Sequence, residues 1–242
     1  MMVVAAALLP LLGACTVLEE AAVTPTSTPA AAPNLLLNPG FEGGDPPWTF
    51  RQQPEWSGFT VTADAARTGA AGLRLELRDS GDASQVHIAG AVQEIRGLAE
   101  FPEFISGFYR VEDWQPKDVA FQYLQFVVVV SGGDYGDEYD SHQIRLPLAG
   151  ARTQPFQLLN ARWIFLSRDQ PAVGKWVYFA YPLRQAFIDK WGKAPATWDG
   201  IEIFLEVRYD GKTAANSGMS ADVSFDDVYM GTQIGNPNRP QD

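Results

Sequence analysis

The sequence predicts an all-β protein, and three observations lead to that fold class. Phe, Trp and Tyr make up 12% of the 242 residues, a share that favours strands. The 22 Gly and 17 Pro are scattered along the chain, as turns between short strands require. Several segments alternate apolar and polar side chains with a period of two. We therefore expect a β-sandwich of two antiparallel sheets with one short inserted helix.

The first residues have the composition of an export signal. Residues 1–14 are apolar or small, and the run is too short to span a membrane as a helix. The run leads into Leu-Gly-Ala-Cys15, which resembles a bacterial lipobox. The resemblance implies that residues 1–15 are a lipoprotein signal peptide and that Cys15 carries the lipid anchor. No Lys or Arg precedes the run, which leaves the true start codon open, and an ordinary buried cysteine is the alternative.

Composition divides the rest of the chain into three parts. Residues 16–33 are rich in Thr, Pro and Ala, cannot bury a core, and predict an extended tether. Residues 34–231 contain the alternating segments and have the length of one β-domain. Residues 232–242 are interpreted as a flexible tail. Since Cys15 is the only cysteine, the chain forms no internal disulfide.

Six strands are expected in the first half of the domain. The clearest is residues 73–78, where Leu73, Leu75 and Leu77 alternate with charged residues and predict a half-buried strand. The others are residues 48–51, 59–63, 86–92, 105–111 and 119–130. In the last of these neither alternate set is plainly polar, which favours a central strand covered on both sides.

The second half is predicted to contain five strands and the helix. The strands are residues 143–148, 162–167, 176–181, 201–209 and 223–230. Apolar residues at helical spacing follow Pro182 and stop before Gly192, which suit the first turn and the end of a helix. These residues are Leu183, Ala186, Phe187 and Trp191, with Lys190 beside them. We expect this helix to cover one end of the sandwich with its apolar stripe in the core.

Acidic residues occur at both ends of the predicted domain. Glu42 follows an Asn-Pro-Gly turn and a Phe, and Asp226 and Asp227 interrupt the β-prone last strand. If the first and last segments lie side by side, these carboxylates meet and suit a structural Ca²⁺ ion, which takes six to eight oxygen ligands. Backbone carbonyls between Thr68 and Gly72 would complete the set. Asp226 is favoured over Asp227, and the alternative is that all these acids are simply solvated.

A second acidic segment lies between two predicted strands. It contains Asp134, Asp137, Glu138 and Asp140. Its spacing is not that of an EF-hand, so a solvated loop is favoured over an ion site.

Both ends of the domain resemble carbohydrate-binding modules with a galactose-binding-like jelly roll, a group that includes cellulose-, β-glucan- and xylan-binding modules. The matching residues lie in the first segment, an internal turn and the closing strand: Asn34, Asn38, Gly40, Phe41, Glu42, residues 68–75, Asp226, Asp227 and Val228. The resemblance implies a jelly-roll β-sandwich that binds glycans. Between residues 118 and 193 the resemblance is weak.

Some strand faces combine flat rings with planar hydrogen-bonding groups. Rings cover the C–H faces of a sugar and polar groups bind its hydroxyls, so such a face suits a glycan. If their strands are neighbours in one sheet, the rings of Phe108, Tyr123 and Phe204 share one surface. The candidate ligand-binding residues are Phe108, Arg110, Phe121, Tyr123, Gln125, Glu202, Phe204, Glu206 and Arg208, with Trp114 and Trp163 as secondary candidates. The alternative is a second core layer under the helix and loops.

The charge and the sparse catalytic motifs limit the function classes. A net charge of −11 argues against nucleic acids and anionic membranes as partners and suits neutral glycans or cations. Neither His87 nor His142 lies in a recognisable nucleophile or zinc motif. Glu202 and Glu206 would lie roughly 13 Å apart along one strand, whereas glycosidase pairs lie about 5 to 9.5 Å apart.

These observations predict a function without catalysis. The preferred hypothesis is a monomeric, lipid-anchored protein of the bacterial cell envelope that binds a polysaccharide or oligosaccharide and contacts the membrane only through its lipid. A structural or protein-binding sandwich is the alternative, and a polysaccharide-active enzyme is the third hypothesis.

Overall fold

The structure is a computed structural model, and it describes residues 33–79, 81, 83–117 and 121–232. The predicted signal peptide, Cys15, nearly all of the tether and nearly all of the tail lie outside the described residues.

The described residues form eleven strands and one α-helix. The strands are β1 (Trp56–Ser57), β2 (Thr60–Thr62), β3 (Gly72–Arg78), β4 (Val86–Ile95), β5 (Phe104–Gln115), β6 (Gln122–Ser131), β7 (Ser141–Ala149), β8 (Ala161–Trp163), β9 (Trp176–Pro182), β10 (Gly200–Asp210) and β11 (Ser220–Gly231). The helix, α1, is Leu183–Trp191, and two 3₁₀ turns lie at Ala63–Ala65 and Ala214–Asn216.

The strands form two sheets, as the sequence predicts. One has six strands in the order β1-β4-β10-β6-β7-β8, and the other has five in the order β2-β3-β11-β5-β9. All pairings are antiparallel except β1 with β4 and β7 with β8, which are parallel pairs of two and three residues at the edges of the six-stranded sheet. The all-β sandwich is therefore confirmed, with two short parallel edges that the sequence did not indicate.

The core fills the space between the two sheets because each strand turns alternate side chains inward. Leu73, Leu75 and Leu77 of β3 are buried, while the intervening Glu76 and Arg78 are exposed. From the other sheet β6 contributes its own alternate residues to the same apolar cluster. The strand pattern predicted for residues 73–78 is thus confirmed.

Strand β6 lies between β10 and β7, in agreement with the central strand predicted at residues 119–130. Its alternate residues Leu124 and Phe126 face the core, and Tyr123 and Gln125 on its opposite side are also buried. The six-stranded sheet therefore has a second covered layer on the side away from the core, called the outer face below.

The predicted helix is present, and both of its ends agree with the sequence. Pro182 occupies the N-cap position, and Gly192 ends the helix in the left-handed conformation with φ of 79°. Leu183, Ala186 and Phe187 are buried in the core cluster. Within the described residues no helix is long and apolar enough to cross a membrane.

Three edge segments differ from the prediction. Residues 48–51 form only a single bridge, between Thr49 and Val92, and β8 is shorter than the strand predicted at 162–167. Strand β1 was not predicted. Edge strands pair on one side only and can be a few residues long. An alternating pattern of so few residues does not predict a strand.

Candidate functional site

The two terminal segments of the domain lie side by side. The Leu35 amide donates to the Met230 carbonyl at 2.8 Å, and the Asn34 side-chain amide donates to the Val228 carbonyl at 2.7 Å. These bonds align the first segment with β11. The closure expected from the acidic residues at both ends is therefore formed, and it brings Glu42 and the aspartates to the loop before β3.

Asp227 forms a buried ion pair at this closure. The Arg67 guanidinium donates to Asp227 Oδ2 at 2.7 Å, and the Thr68 hydroxyl donates to Oδ1 at 2.8 Å. The guanidinium also lies over the Phe108 ring, 3.5 Å from its centroid. Asp227 thus has a cationic partner within the protein.

Asp226 lies beside this pair and is fully buried. The three hydrogen bonds described for its carboxylate come from the backbone amides of Arg67 at 2.7 Å, Thr68 at 3.0 Å and Asp227 at 2.7 Å. Burial raises the pKa of Asp226 to about 6, and the nearby Asp227 charge acts in the same direction while the amides oppose it.

Glu42 contacts the same loop from the surface. Its carboxylate accepts a hydrogen bond from the Ala70 amide at 2.8 Å. Gly69 has a φ of +66°, which favours glycine, and a Cβ there would lie 2.0 Å from Glu42 Oε1 and would displace that carboxylate. Gly72 has a packing role, because a Cβ there would lie 2.0 Å from the Ala65 carbonyl oxygen.

The sequence predicts a calcium site at this closure. Glu42, Asp226 and Asp227 supply three carboxylates against one guanidinium, so a divalent cation would balance the charge. Among the described residues, however, no three His, Cys, Asp or Glu side chains are grouped closely enough to hold a metal ion. A calcium ion here would need backbone carbonyls as further ligands.

The second predicted site is on the outer face of the six-stranded sheet. In the pairing of β10 with β6, Glu206 lies opposite Gln125 and Arg208 lies opposite Tyr123. The intervening residues of both strands face the core. Four of the predicted ligand-binding residues therefore lie together on one face.

These four side chains form a hydrogen-bond network with Asp210. The Tyr123 hydroxyl donates to Asp210 Oδ2 at 2.5 Å, and the Arg208 guanidinium donates to Oδ1 at 2.9 Å. Gln125 donates its amide hydrogen to Glu206. Burial opposes the charge of Arg208, but Glu206 and Asp210 raise its pKa above the usual range. Asp210 was missed, although it continues the alternation of Glu206 and Arg208 along β10.

Two aromatic rings lie over the β7 and β8 side of this network. The Arg145 guanidinium is 5.3 Å from the Phe156 ring centroid and 5.4 Å from that of Trp163. The Arg208 guanidinium is 5.4 Å from the Phe156 ring. Trp163 was a secondary candidate, whereas Arg145 and Phe156 were missed. The alternation of Arg145 with Ile144 and Leu146 was a usable signal, but a loop residue such as Phe156 has none.

Several buried polar atoms on this face have no hydrogen-bond partner among the described residues. They are Gln125 Oε1, Arg145 Nη1, Trp163 Nε1 and Arg208 Nε. Buried polar groups are almost always paired, so four such atoms on one face require water or a ligand. The face therefore holds three donors and one acceptor that are covered from solvent and have no partner among the described residues.

The opposite end of the outer face is apolar. Phe204 packs with Val92 and Val127, and its ring is 6.2 Å from that of Trp56. The Arg51 guanidinium lies 5.3 Å from the Phe204 ring and pairs with Glu202 at 2.5 Å. Phe204 is thus a buried floor residue, and Glu202 lies at the rim.

The expectation that Phe108, Tyr123 and Phe204 share a surface is wrong. Phe108 belongs to β5 in the five-stranded sheet, on its solvent side, where it contacts Arg67 and Tyr178. The core of the sandwich separates it from the other two rings. Arg110 lies on the same side as Phe108, with its guanidinium 4.9 Å from the Trp176 ring centroid.

Two more predicted aromatic residues pack at the edge of the core. Phe121 lies 6.3 Å from the Tyr209 ring and packs against the main apolar cluster. Trp114 packs there as well, and its indole N–H donates to Gln170 at 2.7 Å. Phe121 therefore does not continue the outer face beside Tyr123.

The acidic loop after β6 is held by contacts within the protein. Asp134 pairs with Lys193 at 2.8 Å and accepts a hydrogen bond from the Ala196 amide at 2.8 Å. Asp137 is bonded to the buried His142 at 2.8 Å. These contacts favour a structural loop over an ion site.

Comparison with known proteins adds distant structural likenesses. No protein-family model matches the chain, and no curated protein matches its sequence. TmCBM61, solved in complex with β-1,4-galactotriose, superposes with a TM-score of 0.45 and 15% identity over 84% of this chain and all of that one. A Family 16 Carbohydrate Binding Module-2 gives a TM-score of 0.44 and 14% identity, covering 81% and 99% of the two chains. An endo-β-1,4-glucuronan lyase from the fungus Trichoderma reesei gives 0.45 and 10%, covering 81% and 96%.

Proposed function

We propose that this protein binds a polysaccharide or oligosaccharide on the outer face of its six-stranded sheet and does not cleave it. The observation that carries the proposal is the set of buried polar atoms without partners on that face, beside the half-buried rings of Phe156 and Trp163. Sugars offer what such a face requires, because they present hydroxyls to polar groups and C–H surfaces to rings.

The network beneath the face would hold its side chains ready for a ligand. Arg208 is held by Asp210, and Gln125 is oriented by Glu206, which accepts an amide hydrogen and leaves the buried Oε1 of Gln125 without a partner among the described residues. A site built before the ligand arrives loses less conformational entropy on binding.

The state of the carboxylates favours binding over hydrolysis. Glu206 and Asp210 are each engaged by protein donors, and Glu202 is paired with Arg51. Each of these acids thus has a partner within the protein, which favours a structural role over that of the acid or nucleophile of a glycosidase.

A glycan array with the compact unit Ala31–Asp242 tests the proposal. We expect binding to at least one glycan, and Trp163→Ala should weaken it about tenfold or more because stacking and a donor are both lost. Trp176→Ala, on the far side of the other sheet, is the matched control and should bind normally. Absence of binding to every glycan would favour a structural or protein-binding sandwich, and release of sugar products would establish an enzyme.

We also propose that the closure binds a structural Ca²⁺ ion. Glu42 and Asp226 would supply carboxylate oxygens, and carbonyls between Thr68 and Gly72 would supply the other ligands. Asp227 is left out of this set because its carboxylate pairs with Arg67. Bound calcium would offset the buried charge of Asp226 and tie the loop to both ends of the domain.

The proposed setting is the surface of a bacterial cell. Cys15 would carry the lipid and residues 16–33 would extend the domain away from the membrane. The negative net charge of the protein suits contact with the membrane through the lipid alone.

A further inference from the structure

Arg145 has no carboxylate at ion-pair distance among the described residues, although Glu206 and Asp210 act on it from farther away. Its Nε donates to Gln143 Oε1 at 3.0 Å, and its Nη1 is buried with no hydrogen-bond partner among the described residues. Within the residues that the structure describes, no carboxylate forms an ion pair with Arg145. Arg208 differs, because it pairs with Asp210 at 2.9 Å and lies 3.6 Å from Glu206.

The contrast between these two arginines has an electrostatic consequence. Removing a cation from water is unfavourable unless an anion or strong acceptors replace the water. Burial lowers the pKa of Arg145 and outweighs the opposing effect of the Glu206 and Asp210 charges, whereas at Arg208 the same two carboxylates help to outweigh burial. A negatively charged group brought by a ligand would supply what Arg145 lacks.

The position of Arg145 allows such a ligand to reach it. Arg145 and Trp163 lie opposite one another in the pairing of β7 with β8, and both residues are half-buried, so part of each faces solvent. The rings of Phe156 and Trp163 restrict the guanidinium, which fixes the direction of its N–H groups. Trp163 Nε1 is a further donor beside it, buried and without a partner among the described residues.

We propose, on the basis of the glycan-binding function above, that the ligand is an acidic glycan whose uronate carboxylate binds Arg145. The excess of free donors over free acceptors favours a ligand rich in negative oxygen, and a planar guanidinium matches a carboxylate with two parallel hydrogen bonds. Gln125 Oε1 is the acceptor for a sugar hydroxyl.

The net charge of −11 does not oppose this assignment. Charges separated by more than about 8 Å are largely screened at physiological salt, so the groups in contact with the ligand decide its binding. The preference for neutral glycans expected from net charge therefore gives way to the local chemistry of the outer face.

The test uses the full chain in detergent and two forms of one polymer. Polygalacturonate is compared with the same polymer after its carboxyl groups are reduced to alcohols, by calorimetry at physiological and at high salt. We expect the acidic form to bind about 10- to 100-fold more tightly at physiological salt, as a hydrogen bond to a charged group contributes, and this preference to shrink at high salt. Arg145→Gln should abolish the preference, and Arg96→Gln, at an exposed ion pair with Glu94, should leave it unchanged.

Each other result overturns the inference in a distinguishable way. Equal binding of both polymers, or a preference that survives Arg145→Gln, removes the uronate assignment and leaves glycan binding in place. Binding of a sulfated polymer but not of polygalacturonate has the same effect. No binding of either polymer, when another glycan on the array binds, also removes the uronate assignment alone, whereas no binding here or on the array overturns both proposals. If Arg145→Gln does not fold, Arg145→Lys and the salt dependence of the unaltered chain decide the question.

Discussion

Tyr123 gives the sharpest test of how the outer face is built. Its side chain is fully buried, with its hydroxyl 2.5 Å from Asp210 Oδ2 and its ring 6.4 Å from that of Trp163. Tyr123→Phe keeps the ring and removes a hydrogen bond to a charged acceptor, which should lower the free energy of unfolding by roughly 1.5 to 3 kcal/mol. Tyr123→Ala also empties the space of the ring and should cost roughly 3 to 5 kcal/mol or more.

The assay is urea unfolding at pH 7, followed by tryptophan fluorescence and circular dichroism. In thermal unfolding of a domain of this size, the midpoint of the Phe variant should lie roughly 3 to 12 °C below that of the unaltered protein. Tyr139→Phe, on the acidic loop, is the matched control and should differ by less than about 0.5 kcal/mol. A similarly small effect of Tyr123→Phe would refute the bond to Asp210, and a small effect of Tyr123→Ala would show that the ring is exposed.

Four further predictions concern the anchor, the closure and acid stability. Cys15→Ala should release the protein from membranes into the soluble fraction, and a variant that still sediments with membranes would contradict the lipoprotein proposal. EDTA should lower the melting temperature of the domain by about 5 to 11 °C relative to calcium near 100 times its dissociation constant, and an unchanged midpoint would remove the calcium site. Arg67→Ala takes the guanidinium away from the buried Asp227 and should cost roughly 3 to 5 kcal/mol in urea unfolding, a loss under 1 kcal/mol being incompatible with the pair. The Lys212 ammonium lies 2.6 Å from Asp79 and holds the pKa of that carboxyl below its usual value. This pair therefore stabilises the fold above about pH 4, and the stabilisation is lost as the pH falls further. Asp79→Asn should flatten the fall in stability below about pH 4, and a variant that loses stability there as the unaltered protein does would refute the pair.

The sequence by itself determined the features that depend on local pattern. Alternation in residues 73–78 correctly predicted which side of β3 is buried, since neighbouring side chains in a strand must point to opposite faces. Helical spacing with Pro182 and Gly192 correctly predicted α1, because both residues act on the adjoining turn. The first and last segments of the domain were expected to lie side by side, and they do.

The sequence also identified part of the candidate site. The mixture of rings and polar groups on single strand faces predicts four ligand-binding residues that the structure places together. They are Tyr123, Gln125, Glu206 and Arg208.

Only the tertiary structure decided which strands are neighbours. A period of two shows that Phe108 and Tyr123 each face away from their own core side, but it carries no information on the sheet to which each strand belongs. That choice depends on pairing between segments far apart in the chain, and it placed Phe108 and Tyr123 on opposite outer sides of the sandwich. The same long-range pairing joined Asp210 to Tyr123 and brought Arg145 to the outer face, contacts that no local pattern encodes.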